Sequence, residues 1–181
     1  TNTEEILRIA QKERIDGILA FGSDLSMITC AKVSNYLQLP GNMLSTIEKM
    51  VYKSKFRKFL NDKGIEKVDY KVFSNHQRNE LIIKLSTIKR RYIIKPIDGN
   101  GSKGVSIINP KENPTKKIQN AFLQSLKKKI ILEPFIDKKK PQICGDGIVK
   151  NGKIEFIFFG DGHFYPGLNF LAPWGETFPS T

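Results

Sequence analysis

The sequence predicts a mixed fold, α/β at its N-terminus and α+β beyond. Three observations predict it. Residues 3–37 read as helix, short strand, loop and helix, an order that suits one edge of a parallel α/β sheet. Residues 44–133 alternate helix-period and strand-period patterns. Asn151-Gly152 then sits between two strand-like runs, and that dipeptide supplies the positive φ angles of a type I′ hairpin turn.

Taken in order, residues 3–13 carry Ile6 and Ile9 at helical spacing, and Asp16 to Ala20 reads as a short buried strand. Ser23 or Asp24 caps a helix to about Leu37, with Leu25, Ile28, Val33 and Tyr36 or Leu37 on its apolar face, and Pro40-Gly41 stops it. A helical stretch over 44–63 breaks near 51–53 and ends at Gly64, a left-handed terminator. Val68 to Phe73 alternates as a strand, and Asn75 or His76 opens a helix to about Ile88. Arg91 to Pro96 is a strand with the apolar centre Tyr92-Ile93-Ile94, and a glycine-rich loop, 98–104, joins it to a strand over Val105 to Ile108. A helix from Asn113 or Thr115 to about Leu126 precedes a strand from Lys129 to Glu133. Gly145 to Lys150 and Lys153 to Phe159 form the hairpin, and the tail from Asp161 onward has no clear period.

The 181 residues suffice for one ordinary domain or two small ones. A hydrophobic content of 39% with 27% charged residues is the mixture of a soluble globular protein. No apolar run approaches the roughly 18 residues of a membrane-spanning helix. The polar start, Thr1-Asn2-Thr3-Glu4-Glu5, reads as a helix cap and first turn, not a signal peptide, so the chain is expected to begin inside a fold. Cys30 and Cys144 lie in apolar surroundings and read as free thiols of a cytoplasmic protein. The net charge of +12 raises nucleic-acid binding. Yet the lysines are scattered, no aromatic platform interleaves them, and the runs 127–129 and 138–140 read as solvated turns, so an anionic small ligand is preferred.

The loop Gly99-Asn100-Gly101-Ser102-Lys103-Gly104 spells G-x-G-x-x-G. The dinucleotide version needs a helix to start there, whereas Val105-Ser106-Ile107-Ile108 is strand. The kinase version wants valine two residues after the last glycine, where Ser106 stands, and its lysine after the loop, whereas Lys95 comes before it. No Gly-Lys-Ser/Thr follows at Walker A spacing. On the residues alone two readings stay open. One is a plain glycine-rich turn. The other is a phosphate cradle, with bare amides against the oxyanions and Lys95 adding a point charge.

In order, Ser23-Asp24-Leu25-Ser26, Leu39-Pro40-Gly41-Asn42, Lys53 to Arg57 closing at Gly64-Ile65, Ile94-Lys95-Pro96 with its glycine loop, Leu132-Glu133-Pro134-Phe135-Ile136, and Asp146-Gly147 resemble the ATP-grasp superfamily. The likeness covers about residues 14–165 and is strongest to carbamoyl-phosphate-synthase-like members and related carboxylate–amine ligases. It implies the end of a parallel α/β domain in 1–45, a small ATP-grasp lobe in 46–135, and the start of the large lobe in 136–181, with ATP between the lobes.

By that resemblance Lys53 meets phosphate at a helix head, with Arg57 supporting it or lying at the surface. Lys95 reaches the α- and β-phosphates, and Gly99, Gly101, Ser102, Lys103 and Gly104 form the loop above them. Glu133 to Ile136 is the hinge, offering the Pro134 carbonyl and the Ile136 N–H to adenine beside Phe135. The acid expected on the ribose is replaced by Gln142, with Asp137 an alternative. Magnesium ligands are expected beyond residue 181, and Glu155 aligns with none. His163 either faces substrate or ends a strand, and Trp174 lines an acceptor pocket or packs. The activity implied is ATP-dependent ligation of a carboxylate to an amine or thiol through an acylphosphate, with this piece inactive alone. The rival expectation is a non-catalytic nucleotide-binding module.

Overall fold

The computed structural model describes residues 2–138, 142–165 and 171–180. They divide into two compact units, Thr1–Pro134 and Phe135–Thr181, each described by itself.

In the first unit, α1 (Thr3–Glu13) starts at Asn2, whose side chain accepts from the Glu5 N–H at 3.3 Å, and ends at Arg14 in the left-handed region, φ 50°. Helix α2 (Asp24–Tyr36) follows Ser23 and buries Thr29, Ala31, Val33 and Ser34. Tyr36, Leu19 and Phe21 are exposed. Residues 16–20, expected as a strand, form none. A strand exists by pairing, and among the described strands none pairs with this segment. Helices α3 (Leu44–Val51) and α4 (Lys53–Asp62) are separated by Tyr52, whose extended backbone, φ −86° and ψ 110°, makes the expected break.

Strand β1 (Lys71–Ser74) begins three residues later than the alternation predicts, because the Asn61 side chain takes both backbone groups of Val68. A 3₁₀ turn at Asn75–Gln77, closed by a Ser74/Gln77 capping box, leads into α5 (Arg78–Ser86). Then come β2 (Tyr92–Pro96), β3 (Ser106–Ile108), α6 (Thr115–Leu123) and β4 (Lys129–Pro134). The four strands form an antiparallel sheet in the order β1-β4-β2-β3.

The two-residue period of a strand sorts this sheet. Phe73, Ile94, Ile108, Ile130 and Leu132 enter the core with Leu81 and Leu85 of α5 and Ile118 and Phe122 of α6. The intervening residues, Ile93 and Lys95 on β2 and Ile131 and Glu133 on β4, take the other phase. Lys95 stands opposite Ile131, and Glu133 opposite Ile93, so the lysine and the acid are diagonal neighbours on one face.

The second unit is an antiparallel sheet, β5-β6-β7, of β5 (Gln142–Lys150), β6 (Lys153–Phe164) and β7 (Pro173–Thr177). Asn151 and Gly152 at φ 50° and 76° turn the hairpin as expected. The aperiodic tail expected after Asp161 is corrected: β6 continues to Phe164, and β7 pairs with it from Asp161↔Thr177 to Phe164↔Pro173. This strand escapes pattern reading because Trp174-Gly175-Glu176 lacks hydrophobic alternation and owes its extension to the β6 edge.

Candidate functional site: a lysine pair beneath a clamped glycine loop

The first unit gathers most of the expected site around the turn after β2. The Lys53 N–H, at the start of α4, donates to the Ile97 carbonyl at 3.0 Å, which fixes the helix head against the strand end. The Lys53 ammonium donates to the Gly99 carbonyl at 2.5 Å, directly under the loop. Burial pushes that ammonium below the usual lysine range, and the like charge of Lys95 pushes the same way. The two lysines therefore share one electrostatic neighbourhood.

The loop is held at both ends and exposes Gly101 and Lys103 at its rim. Asp98 is buried at 4% exposure. Its Oδ1 accepts from the Ser125 hydroxyl at 2.7 Å, and its Oδ2 from the Lys127 N–H at 2.8 Å. The Ser125 oxygen in turn accepts from the Lys129 N–H at 3.1 Å, which ties the loop base to the turn before β4. At the far end Gly104 sits at φ 72°, and a Cβ there would lie 2.8 Å from the Gln124 Cβ and 2.9 Å from the Pro96 Cγ. Gly101 and Ser102, at φ 55° and 57°, turn the rim, and a Cβ on Gly101 would meet nothing within 4 Å. Gly104 is thus demanded by packing and backbone together, Gly101 by backbone alone. Gly101 and Lys103 are exposed on that rim.

Removing the buried anchor should loosen this clamp. Asp98→Ala leaves the Lys127 N–H and the Ser125 hydroxyl without their acceptor and is expected to cost about 1–3 kcal/mol. Urea unfolding followed by circular dichroism measures the cost. Hydrogen exchange should quicken first at residues 99–104.

Glu133 is the electrostatic centre of the same face. Its side chain is 4% exposed, with Arg57 at 19% and Lys95 at 24%. Arg57 Nε donates to Oε1 at 2.6 Å, and Lys95 Nζ donates to Oε2 at 2.7 Å. Arg57 Nη1 also donates to Glu66 at 2.7 Å. Burial alone would raise the Glu133 carboxyl, but the Arg57 hydrogen bond and the Lys95 charge together hold it below the usual glutamate range. Burial likewise opposes the charge on Arg57, and Glu133 overcomes it, holding the guanidinium above its ordinary value. The stability from this depressed carboxyl is full above the unfolded glutamate pKa. It is lost as pH falls through the lower, folded one.

Lys53, Lys95, Gly99, Gly101, Ser102, Lys103, Gly104, Glu133 and Pro134 therefore lie in one unit, whereas Phe135, Ile136, Gln142 and His163 lie in the other. Ile136 is exposed, and Gln142 opens β5 opposite Gly162. His163, near the end of β6, shares a 2.6 Å hydrogen bond with the Thr177 hydroxyl and stacks on Trp174 at 5.3 Å. Both cysteines are free and partly buried. His76 is exposed. Pattern reading missed Asp98, and it valued Glu133 for its backbone when the side chain carries the contacts. The phase of Glu133, set with Ile131 against Ile130 and Leu132, was the available signal.

Among the described residues, no group of three or more His, Cys, Asp or Glu could hold a metal ion. No helix of the described residues is long and apolar enough to cross a membrane.

No protein-family model matches the chain, and no curated protein matches it. Solved structures do. The L-amino acid ligase of Bacillus licheniformis is similar at TM-score 0.71 and 17% identity, over 97% of this chain and 40% of that one. The D-alanine–D-alanine ligase of Bacillus anthracis gives TM-score 0.68 and 20% identity, over all of this chain and 60% of that one. The biotin carboxylase domain of the Hydrogenobacter thermophilus 2-oxoglutarate carboxylase, solved with MgADP and bicarbonate, gives 0.62 and 18%, over 80% and 33%. The chain thus spans less than two thirds of each of these structures, and at such identities the likeness is one of fold.

Proposed function

The chain has the ATP-grasp fold, in part, and on that premise we propose that its first unit holds the phosphates of ATP within a carboxylate–amine or carboxylate–thiol ligase. One observation carries the reading: two lysines from separate elements serve one glycine loop, Lys53 of α4 bonded to its Gly99 carbonyl and Lys95 of β2 on the strand that leads into it, and the loop is clamped at its ends and exposes Gly101 and Lys103. The arrangement fits polyphosphate chemistry. Loop amides approach oxyanions closely where no Cβ intervenes, and two ammonium groups in a partly buried face neutralise charge more effectively than in water. The MgADP in the biotin carboxylase domain agrees with a nucleotide ligand for this fold.

Residues 1–45 would end a preceding α/β domain, 46–135 would be the small lobe and 136–181 the beginning of the large one. In the ligation, a carboxylate oxygen attacks the γ-phosphorus of ATP while the bond to the β,γ-bridging oxygen breaks and ADP leaves. An amine nitrogen or thiol sulfur then attacks the acyl carbon, phosphate departs and the nucleophile loses its proton. Lys53, Lys95 and the loop amides position the phosphates and offset their charge, which is most of what phosphoryl transfer asks of a protein. Calorimetric titration of the chain with ATP, ADP and adenosine tests this. ATP and ADP are expected to bind and adenosine to bind much more weakly. Equal binding of all three, or none at millimolar ATP, would remove the proposal.

A further inference from the structure

Lys95 faces two anions in succession under the reading above: the Glu133 carboxylate it pairs with, and the phosphate it is to meet. Its usefulness to the second depends on how firmly it is held by the first. Glu133 does not rest on Lys95 alone. Its two oxygens are divided, Oε1 to Arg57 and Oε2 to Lys95. The order of exposure also has a direction. Glu133 is nearly enclosed, Arg57 backs it, and Lys95 is the most open of the three. Arg57 is set one helical turn after Lys53, on the helix whose head is bonded to the strand end beside the loop. Its other nitrogen on Glu66 locks the planar fork in place.

We propose that Arg57 is a positioning residue for the nucleotide phosphates, acting through Glu133. By taking half of that carboxylate, it leaves the Lys95 ammonium oriented yet free to be shared with phosphate. This rests on the nucleotide-binding reading. Counting charges gives the reason. With Arg57, the two cations Arg57 and Lys95 balance the two carboxylates of Glu133 and Glu66. Without it the group keeps an excess negative charge, and Lys95 must be pulled from an enclosed carboxylate that has no other cation. The carboxylate cannot turn to water instead, because it is buried. Sequence separation hides the device, since Arg57 and Glu133 are 76 residues apart.

The experiment is calorimetric titration of the full chain with ATP and, separately, adenosine. Arg57→Leu is expected to weaken ATP about tenfold, the loss of a charge-assisted contact, and to leave adenosine within about twofold. Adding Glu133→Gln to Arg57→Leu removes the anion that captures Lys95, and ATP affinity is expected to return to within about threefold of the unaltered chain. Arg57→Lys, which keeps the charge, should lose less than Arg57→Leu. Should Arg57→Leu fail to fold, Arg57→Gln takes its place with the same expectations. The inference is overturned if ATP affinity is unchanged by loss of the Arg57 charge, if adenosine weakens in step with ATP, or if the double variant stays as weak as the single one. If the unaltered chain binds no ATP, the nucleotide reading itself fails and takes this inference with it. ATP binding by the unaltered chain, with any of the three results just named, leaves the first reading standing and removes only the second.

Discussion

Lys95→Ala is expected to weaken ATP binding by at least about tenfold, since a hydrogen bond to a charged group is worth about 1.5–3 kcal/mol. The lysine is well placed for that effect. Strand β2 delivers it to the face away from the core, the adjoining Pro96 and Ile97 are buried, and the ammonium is held at Glu133, not dispersed in solvent. Adenosine, lacking phosphate, should be almost indifferent to the change. Lys53→Ala is expected to do less to direct contact and more to loop order, because its ammonium supports the Gly99 carbonyl. Titration calorimetry on both variants separates the two roles. Undiminished ATP affinity in Lys95→Ala would refute the placement of phosphate here.

The second large effect is on stability. Phe73→Ala should cost about 3–5 kcal/mol, because it empties a fully buried ring position and the packed surroundings relax only partly. Phe73 is 0% exposed and lies among Leu81, Leu85, Ile130 and Leu132, where β1 and β4 meet α5. Ile83→Ala is the control: Ile83 is 68% exposed on α5, so its loss should change stability by less than about 0.5 kcal/mol. Urea unfolding of the two variants beside the unaltered chain gives the comparison. A Phe73 cost no larger than the Ile83 cost would contradict the described core.

Particular elements show which features can be read from residue order. Asn151-Gly152 needs no distant partner to turn a hairpin, and the structure places both residues at positive φ. The break between α3 and α4 and the strand–loop–strand around 99–104 likewise follow from neighbours within a few residues. Residues 16–20 and Pro173–Thr177 are the opposite cases. The first has strand composition and no described partner, and the second has poor strand composition and a partner in β6. Pairing decided both, and pairing is not a local property.

The same division runs through the site. Residue types and spacing alone determined that a lysine near a strand end precedes a glycine-rich loop, because Lys95, Pro96 and the glycines at 99, 101 and 104 lie close together in the sequence. Only the tertiary structure decided what surrounds that lysine. Asp98 reaches Ser125 across 27 residues, Lys53 reaches Gly99 across 46, and Glu133 joins Lys95 to Arg57 across 38 and 76. The physical reason is that a turn or a strand phase is set by dihedral preferences of adjacent residues. The reach and partners of a partly buried ammonium are set instead by groups that only chain folding brings within hydrogen-bond distance.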